Sequence, residues 1–197
     1  MNKKIIGVVA CSAVAASMAI GASASDELIK VGYAQVGHES DWRTANTQNY
    51  QDVFSEANGY ELSFVDCDND NAAQIEAVRN FINQELDYIV IAPIQSAGWD
   101  TVLQEAQDAG IPVIIADREI EASDDLYDAW VGTNTTNEGI TAGNWLAENL
   151  DGKEANILVI EGSVGASAAL GRTDGFNQVA ADHDEWTILD SQSGDFT

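Results

Sequence analysis

Short apolar runs alternate with amphipathic segments along most of this chain, from about residue 28 onward. The runs 89–91 and 113–115 are apolar at consecutive positions, as expected of strands that helices cover on both faces. The segment 71–84 places apolar side chains three and four residues apart, which is typical of a helix that packs on a sheet by one face. This alternation predicts an α/β fold built on doubly wound parallel sheets.

The same patterns set the expected limits of each element. The predicted strands span residues 28–36, 60–66, 88–92, 112–116, 129–132, 156–160 and 186–189. The predicted helices span residues 43–58, 71–84, 98–109, 138–150 and 168–181. No helix follows the last predicted strand to cover it, and we therefore expect the chain to be a fragment.

The acidic balance of the chain limits its partners. There are 33 Asp and Glu residues against 8 Lys and Arg, which gives a formal charge of −25 at pH 7. Nucleic acids and anionic membrane surfaces bind to basic surfaces, so we expect neither as a partner. Apolar residues make up 45% and charged residues 21%, which is typical of a globular domain with a core. The acidic excess predicts a strongly hydrated surface, as in proteins that face high salt.

The first 24 residues have the three parts of a secretory signal peptide. Lys3 and Lys4 form a basic start, residues 5–20 form an apolar stretch, and residues 22–24 read Ala-Ser-Ala. We expect cleavage after residue 24 and export of the remaining chain. Cys67 is then the only remaining cysteine, so no internal disulfide can form in these residues.

Polar side chains follow three of the predicted strands at their carboxyl ends, which is where open parallel sheets bind ligands. Trp42 and Arg43 follow the first strand, Asp117 and Arg118 follow the fourth, and the loop after the sixth leads to Arg172. Guanidinium and carboxylate groups can hydrogen-bond neighbouring hydroxyls, and an indole can stack on the C–H face of a sugar. The pattern favours a polyol or sugar pocket. The alternative is an Asp117–Arg118 surface ion pair with Trp42 capping the core.

Other motifs do not complete a metal site or a catalytic site. Asp66-x-Asp68-x-Asp70 begins like a calcium loop, but Asn71 stands where the turn glycine belongs. Ser163 lacks the glycine pattern of a nucleophile elbow, and the chain has two histidines to serve as base. We predict no metal, no cofactor and no catalytic residue. The remaining tryptophans occur at apolar-periodic positions and are expected in the core: Trp99, Trp130, Trp145 and Trp186.

Several motifs occur in order along the chain after the predicted signal peptide. They are Gly37-x-Glu39-Ser40-x-Trp42-Arg43, Ile91-Ala92-Pro93, Ile111-Pro112-Val113, Asp117-Arg118, the loop 162–167 with Arg172, and Ser191-Gln192-Ser193-Gly194-Asp195-Phe196. Together they resemble the periplasmic sugar-binding proteins of the ribose and galactose type. The resemblance implies a type I periplasmic-binding-protein fold, with a first lobe over residues 25–133 and the start of a second over residues 134–197.

The resemblance also implies how such a protein works. A monosaccharide, galactofuranose or a similar sugar, is captured between the lobes, and the closed monomer docks on the membrane permease of an ABC transporter. Six residues match the family's ligand contacts: Ser40, Trp42, Arg43, Asp117, Arg118 and Arg172. Two other classes stay open. A sugar-sensing LacI-like regulator would need a helix-turn-helix where the signal peptide stands, and an exported carbohydrate hydrolase would need paired carboxylates such as Asp41 and Asp117.

Overall fold

The computed structural model describes residues 27–197, so the predicted signal peptide lies outside the described residues. Within this range the chain forms seven strands: β1 (Ile29–Gln35), β2 (Tyr60–Asp66), β3 (Tyr88–Ile91), β4 (Val113–Asp117), β5 (Ala129–Gly132), β6 (Ala155–Glu161) and β7 (Trp186–Ser193). It also forms five α-helices: α1 (Asp41–Val53), α2 (Asn71–Asn83), α3 (Asp100–Asp108), α4 (Thr135–Leu150) and α5 (Ser167–Ala180).

The strands form two parallel sheets. The first has five strands in the order β2-β1-β3-β4-β5, and the second pairs β6 with β7. Helices connect most neighbouring strands, as parallel pairing requires. The predicted α/β fold on doubly wound parallel sheets is therefore confirmed. All carboxyl ends of the first sheet lie along one edge, and the loops that carry the predicted contacts start there.

The core of the first sheet lies around its central strands. Strands β1, β3 and β4 are buried over most of their length, and Trp99 is fully buried beside them, as predicted. The buried amide of Gln74 donates to the carbonyls of Ala34 and Ala92 and accepts from the amide of Ile94. These three hydrogen bonds tie the ends of β1 and β3 together, so the loops that leave this edge start from fixed positions.

Helix α1 begins two residues before its predicted start and ends five residues before its predicted end. The hydroxyl oxygen of Ser40 accepts from the amide of Arg43 at 3.2 Å and caps the helix at its first turn. At the other end Phe54 leaves the helical conformation and packs its ring edge-on against Tyr60, 5.1 Å between centroids. The chain then closes in a short 3₁₀ turn, residues 56–58. Gly59 ends that turn with a φ of 89°.

Trp145 does not lie in the core as predicted: it is 63% exposed. Helices α4 and α5 approach each other through glycines, because a Cβ at Gly139 would lie 2.1 Å from the carbonyl of Arg172. Gly143, one turn later, faces Val179 in the same way. Trp145 is two positions beyond Gly143, about 200° around the helix, and therefore points away from this contact.

Strand β7 extends four residues beyond its predicted end, residue 189. Residues 190–193 are polar, but their main chains pair with β6 up to Glu161 opposite Ser193. On β6, Leu158 and Ile160 are 71% and 84% exposed on a face that residues 27–197 do not cover. Among the described helices, none is both long and apolar enough to span a bilayer.

Candidate functional site

Four charged side chains meet at the carboxyl edge of the first sheet: Glu39, Arg43, Asp117 and Arg118, called here the guanidinium cluster. Arg43 Nη2 lies 2.7 Å from Asp117 Oδ2 and 3.1 Å from Glu39 Oε1. Arg118 Nη2 donates to the same Glu39 oxygen. The side chains of Arg43, Arg118 and Glu39 are 2%, 4% and 6% exposed. Such burial is tolerated for charges only when they are paired in this way.

Local backbone structure brings these groups together. Arg43 stands in the first turn of α1, just after the Ser40 cap, and Asp117 is the last residue of β4. Asp117 has a φ of +66°, and its carbonyl accepts from the indole Nε1 of Trp130 at 3.3 Å. A Cβ at Gly132 would come within 2.1 Å of that carbonyl, so the glycine lets β5 pass close to the site.

Asp117 therefore pairs with Arg43 rather than with Arg118. The alternative of a surface ion pair between Asp117 and Arg118 does not describe the structure, because Arg118 is buried and bonded to Glu39. Nor does Trp42 cap the core, since it is 58% exposed. Its ring lies beside the guanidinium of Arg43, 4.9 Å from the ring centroid to Cζ. Trp42 is thus placed to present an aromatic face at the edge of the cluster.

Burial and ion pairing shift the pKa values of the two arginines in opposite directions. Burial alone lowers the pKa of Arg43, but the carboxylates of Asp117 and Glu39 outweigh it, so the pKa of Arg43 is raised. For Arg118 burial dominates and lowers its pKa, with Glu39 opposing the shift. Both guanidinium groups stay charged at neutral pH, because the ordinary pKa of arginine lies far above it.

The cluster keeps hydrogen-bonding capacity that no residue between 27 and 197 uses. Buried Nε and Nη1 of Arg43, Nη1 of Arg118 and Oε2 of Glu39 have no hydrogen-bond partner there. A buried polar group without a partner costs about 1–3 kcal/mol. A ligand that carries several neighbouring hydroxyls could supply both acceptors and donors to these atoms.

Phe196 links the cluster to the second sheet. Its ring centroid lies 4.7 Å from Arg118 Cζ and 6.0 Å from Arg172 Cζ, so two of the predicted arginines share one aromatic ring. Neither Phe196 nor Glu39 is among the predicted contacts. Phe196 follows β7, and the rule that picks out residues after strand ends would have found it if applied to the last strand.

Arg172 is the predicted contact that stands apart from the cluster. Its Nε donates to Glu138 Oε2 at 2.8 Å, and the two side chains are 48% and 40% exposed. The hydrogen bond from Arg172 lowers the pKa of Glu138. A cleft of about 630 Å³ is bordered by Arg172 and Phe196, and another of about 450 Å³ is bordered by Trp42 and Asp117. The structure thus brings Ser40, Arg43, Asp117 and Arg118 together directly and Arg172 through Phe196.

The residues of the other motifs make local structural contacts. Asp70 caps α2, and Asp66 accepts from the amide of Asp68 and pairs with His38 at 2.7 Å. Residues 27–197 hold no group of three or more acidic, histidine or cysteine side chains that could bind a metal. Ser163 Oγ is buried without a hydrogen-bond partner in the described part of the chain, so it is not paired with a histidine there.

Comparisons with known proteins agree with this architecture. Residues 31–196 match the periplasmic binding protein domain. Galactofuranose-binding protein YtfQ of Escherichia coli K12 is 41% identical over 198 residues, which cover 100% of this chain and 60% of that protein. The fructose import binding protein FruE of Bifidobacterium longum is 32% identical over 99% of this chain and 62% of its own length. The chain therefore spans about three fifths of the length of these relatives.

A solved structure also matches closely. The crystal structure of a galactofuranose binding protein superposes with a TM-score of 0.81 at 42% identity, covering 86% of this chain and 57% of that one. By the domain match and by these relatives, the chain belongs to the periplasmic binding protein family.

Proposed function

We propose that this chain is the sugar-binding part of a periplasmic receptor that delivers a monosaccharide to an ABC transporter. The ligand is galactofuranose or a similar furanose sugar, held by Ser40, Trp42, Arg43, Asp117, Arg118 and Arg172. The observation that carries the proposal is the set of buried guanidinium N–H groups of the cluster that lack partners within residues 27–197, flanked by the rings of Trp42 and Phe196.

The charges of the cluster support an uncharged ligand. The two guanidinium groups are balanced by the carboxylates of Glu39 and Asp117, and Arg172 is balanced by Glu138. A phosphorylated sugar or a sugar acid would add a charge that nothing in this balanced set compensates. Hydroxyl groups, in contrast, can take up the free N–H donors without disturbing the pairs, while an aromatic ring covers the C–H face of the sugar.

The names of the relatives support a furanose ring in particular. One relative is a galactofuranose-binding protein, and a solved structure of 41% identity, with a TM-score of 0.79, is the arabinose ABC transporter component of Shewanella sp. ANA-3 with bound L-arabinofuranose. It covers 85% of this chain and 55% of that chain. Because the relatives are binding components of transporters rather than enzymes, we expect the sugar to leave the site unchanged.

The rest of the proposal concerns the whole receptor. The lobes are residues 25–133 and a second lobe that begins at residue 134, and the sugar is enclosed between them. A main-chain hydrogen bond of 2.9 Å joins the amide of Ser96, in the loop after β3, to the carbonyl of Gly165, in the loop after β6. It supports contact between the loops of the two sheets. Cleavage after residue 24 releases the protein as a monomer to the periplasm, where the closed form docks on a membrane permease.

The test is a calorimetric titration of the complete protein with galactofuranose, with galacturonate as the charged comparison. Arg118→Ala leaves Glu39 with one partner fewer and should weaken binding by about 2–5 kcal/mol, as for other desolvated charge pairs. Trp42→Ala should weaken binding through lost stacking. Arg79→Ala, which removes an exposed arginine bonded to Glu105, is the control and should bind like the parent.

Three results would contradict the proposal. The complete protein could bind no pentose or hexose, it could prefer galacturonate to the neutral sugar, or Arg118→Ala and Trp42→Ala could both bind like the parent. The hydrolase alternative is tested by prolonged incubation of the protein with a glycoside. An NMR spectrum that shows the glycoside intact contradicts hydrolysis by this protein.

A further inference from the structure

The face of α1 that meets the sheet is polar at its start and aromatic towards its end. Arg43 and Thr47 are the buried residues of this helix, and Asn46 is half-buried between them. Tyr50 and Phe54 follow on the same face, one and two turns later. No fully buried apolar side chain of α1 anchors its first two turns, so the polar residues carry the contact there.

A buried hydrogen-bond network joins this polar part to β1. Asn46 Oδ1 accepts from the hydroxyl of Tyr33 at 2.9 Å and from Gln35 Nε2 at 3.0 Å. Gln35 Nε2 also donates to Thr47 Oγ1 at 3.1 Å, and Gln35 Oε1 accepts from the amide of Val36 at 2.9 Å. Tyr33 and Gln35 are fully buried, and burial raises the pKa of Tyr33, so its hydroxyl stays a donor.

This network lies one helical turn from Arg43. Residues three and four positions apart share a face of a helix, so whatever holds Asn46 and Thr47 also sets the direction in which Arg43 projects. A shift of α1 by one residue would rotate that face by about 100° and take the guanidinium away from Asp117. The stacked rings of Tyr33 and Tyr50, 4.1 Å apart, can slide, whereas hydrogen bonds of this length are directional.

We propose that Asn46 and Gln35 are positioning residues for the sugar site. By fixing the rotation of α1 on β1, they hold Arg43 against Asp117 and Trp42 at the edge of the cluster. The inference rests on the proposed function for its effect on affinity, but the placement of Arg43 can be measured without any sugar.

A purely structural role for the network makes a different prediction. If the network only stabilised the fold, its loss would lower the stability and leave the affinity of the folded protein unchanged. A positioning role predicts that the affinity of the folded protein falls as well, in addition to the stability lost because Tyr33 and Gln35 are left without their shared acceptor. Affinity and stability therefore have to be measured on the same variants.

The experiment uses the complete protein and three substitutions. Asn46→Leu removes the shared acceptor, Asn46→Asp keeps an oxygen in the same place, and Gln48→Leu changes an exposed neighbour whose side chain bonds to Asp52 on the same helix. The measurements are the dissociation constant for galactofuranose, the midpoint of urea unfolding, and the ¹H–¹⁵N resonance of Arg43 Nε in the sugar-free protein. That N–H is buried, which slows its exchange with water.

Asn46→Leu should weaken sugar binding about tenfold, which corresponds to about 1.4 kcal/mol, and should shift or broaden the Arg43 resonance. Asn46→Asp should bind within about threefold of the parent and keep the resonance in place, because both donors still meet an acceptor. Gln48→Leu should leave both readouts unchanged. If Asn46→Leu does not fold, Tyr33→Phe removes one donor to the same oxygen and should shift the resonance in the same direction.

The outcomes separate the two proposals. Parent-like affinity together with an unmoved Arg43 resonance in Asn46→Leu overturns the positioning role. A parent protein that binds no sugar overturns the proposed function, and the Arg43 resonance in the variants then decides the positioning role alone. Equal effects in Asn46→Leu and Asn46→Asp would also overturn the positioning role, since the oxygen retained in Asn46→Asp should keep Arg43 in place.

Discussion

Glu39 is the residue on which the charge balance of the cluster most depends, and Glu39→Gln tests that dependence. One oxygen of Glu39 accepts from both Arg43 and Arg118, and the side chain is 6% exposed. The substitution keeps the shape and removes the charge. Arg43 then retains Asp117, whereas Arg118 keeps no ion-pair partner among residues 27–197. Removal of one partner of a buried ion pair costs about 3–5 kcal/mol, which is the loss of unfolding free energy we expect.

The control makes the same chemical change on the surface. Glu105 bonds to Arg79 at 2.8 Å, but both side chains are more than 40% exposed. Glu105→Gln should therefore leave the stability unchanged within error, because water and salt screen exposed pairs. Both variants reduce the net charge equally, so the long-range effect of the acidic surface cancels between them. Urea unfolding of the complete protein measures the difference. A loss below about 1 kcal/mol in Glu39→Gln, or equal losses in both variants, would refute the reasoning.

Three further predictions concern other charged and titratable groups. Burial raises the pKa of Cys67 to about 12, so its thiol should not react with iodoacetamide at pH 8 until urea unfolds the protein, as mass spectrometry would show. The hydrogen bond from Arg172 lowers the pKa of Glu138, so its stabilising contribution should be present at neutral pH and be lost as the pH falls through the lowered pKa. A ¹³C carboxyl titration should find that midpoint below the ordinary value, and Arg172→Met should return it. Because the formal charge is −25, the unfolding temperature should rise with added potassium chloride; a flat or falling response would contradict the hydrated acidic surface.

Local patterns were enough to predict most of the fold. The apolar runs of β3 and β4 and the helical spacing of α2 are properties of neighbouring residues, and the structure has these elements within one or two residues of the predicted limits. The predictions were wrong where contacts between residues far apart in the sequence determine the structure. Strand β7 continues through polar residues because β6 lies beside it. Trp145 is exposed because α4 meets α5 through its glycine face, and Trp145 lies on the other side of that helix.

The candidate site, too, could be predicted only in part from the sequence. Residues at strand ends were predicted from position alone, and Arg43, Asp117 and Arg118 do meet. The choice of partners could not be predicted, because Glu39 and Arg118 are 79 residues apart in sequence and meet only when β1 and β4 lie in the same sheet. An adjacent opposite charge, Asp117, looked like the natural partner of Arg118. In a folded protein, however, consecutive residues at a strand end point in different directions.

The left-handed backbone at Asp117 limits how the specificity of this site can evolve or be engineered. Asparagine, aspartate and glycine tolerate that conformation far better than other residue types, and the carbonyl of Asp117 packs closely against Gly132. A library that varies position 117 freely would therefore consist mostly of strained or misfolded variants. Retuning towards another ligand is better directed at Trp42, whose exposed ring can change size and polarity without altering the path of the main chain.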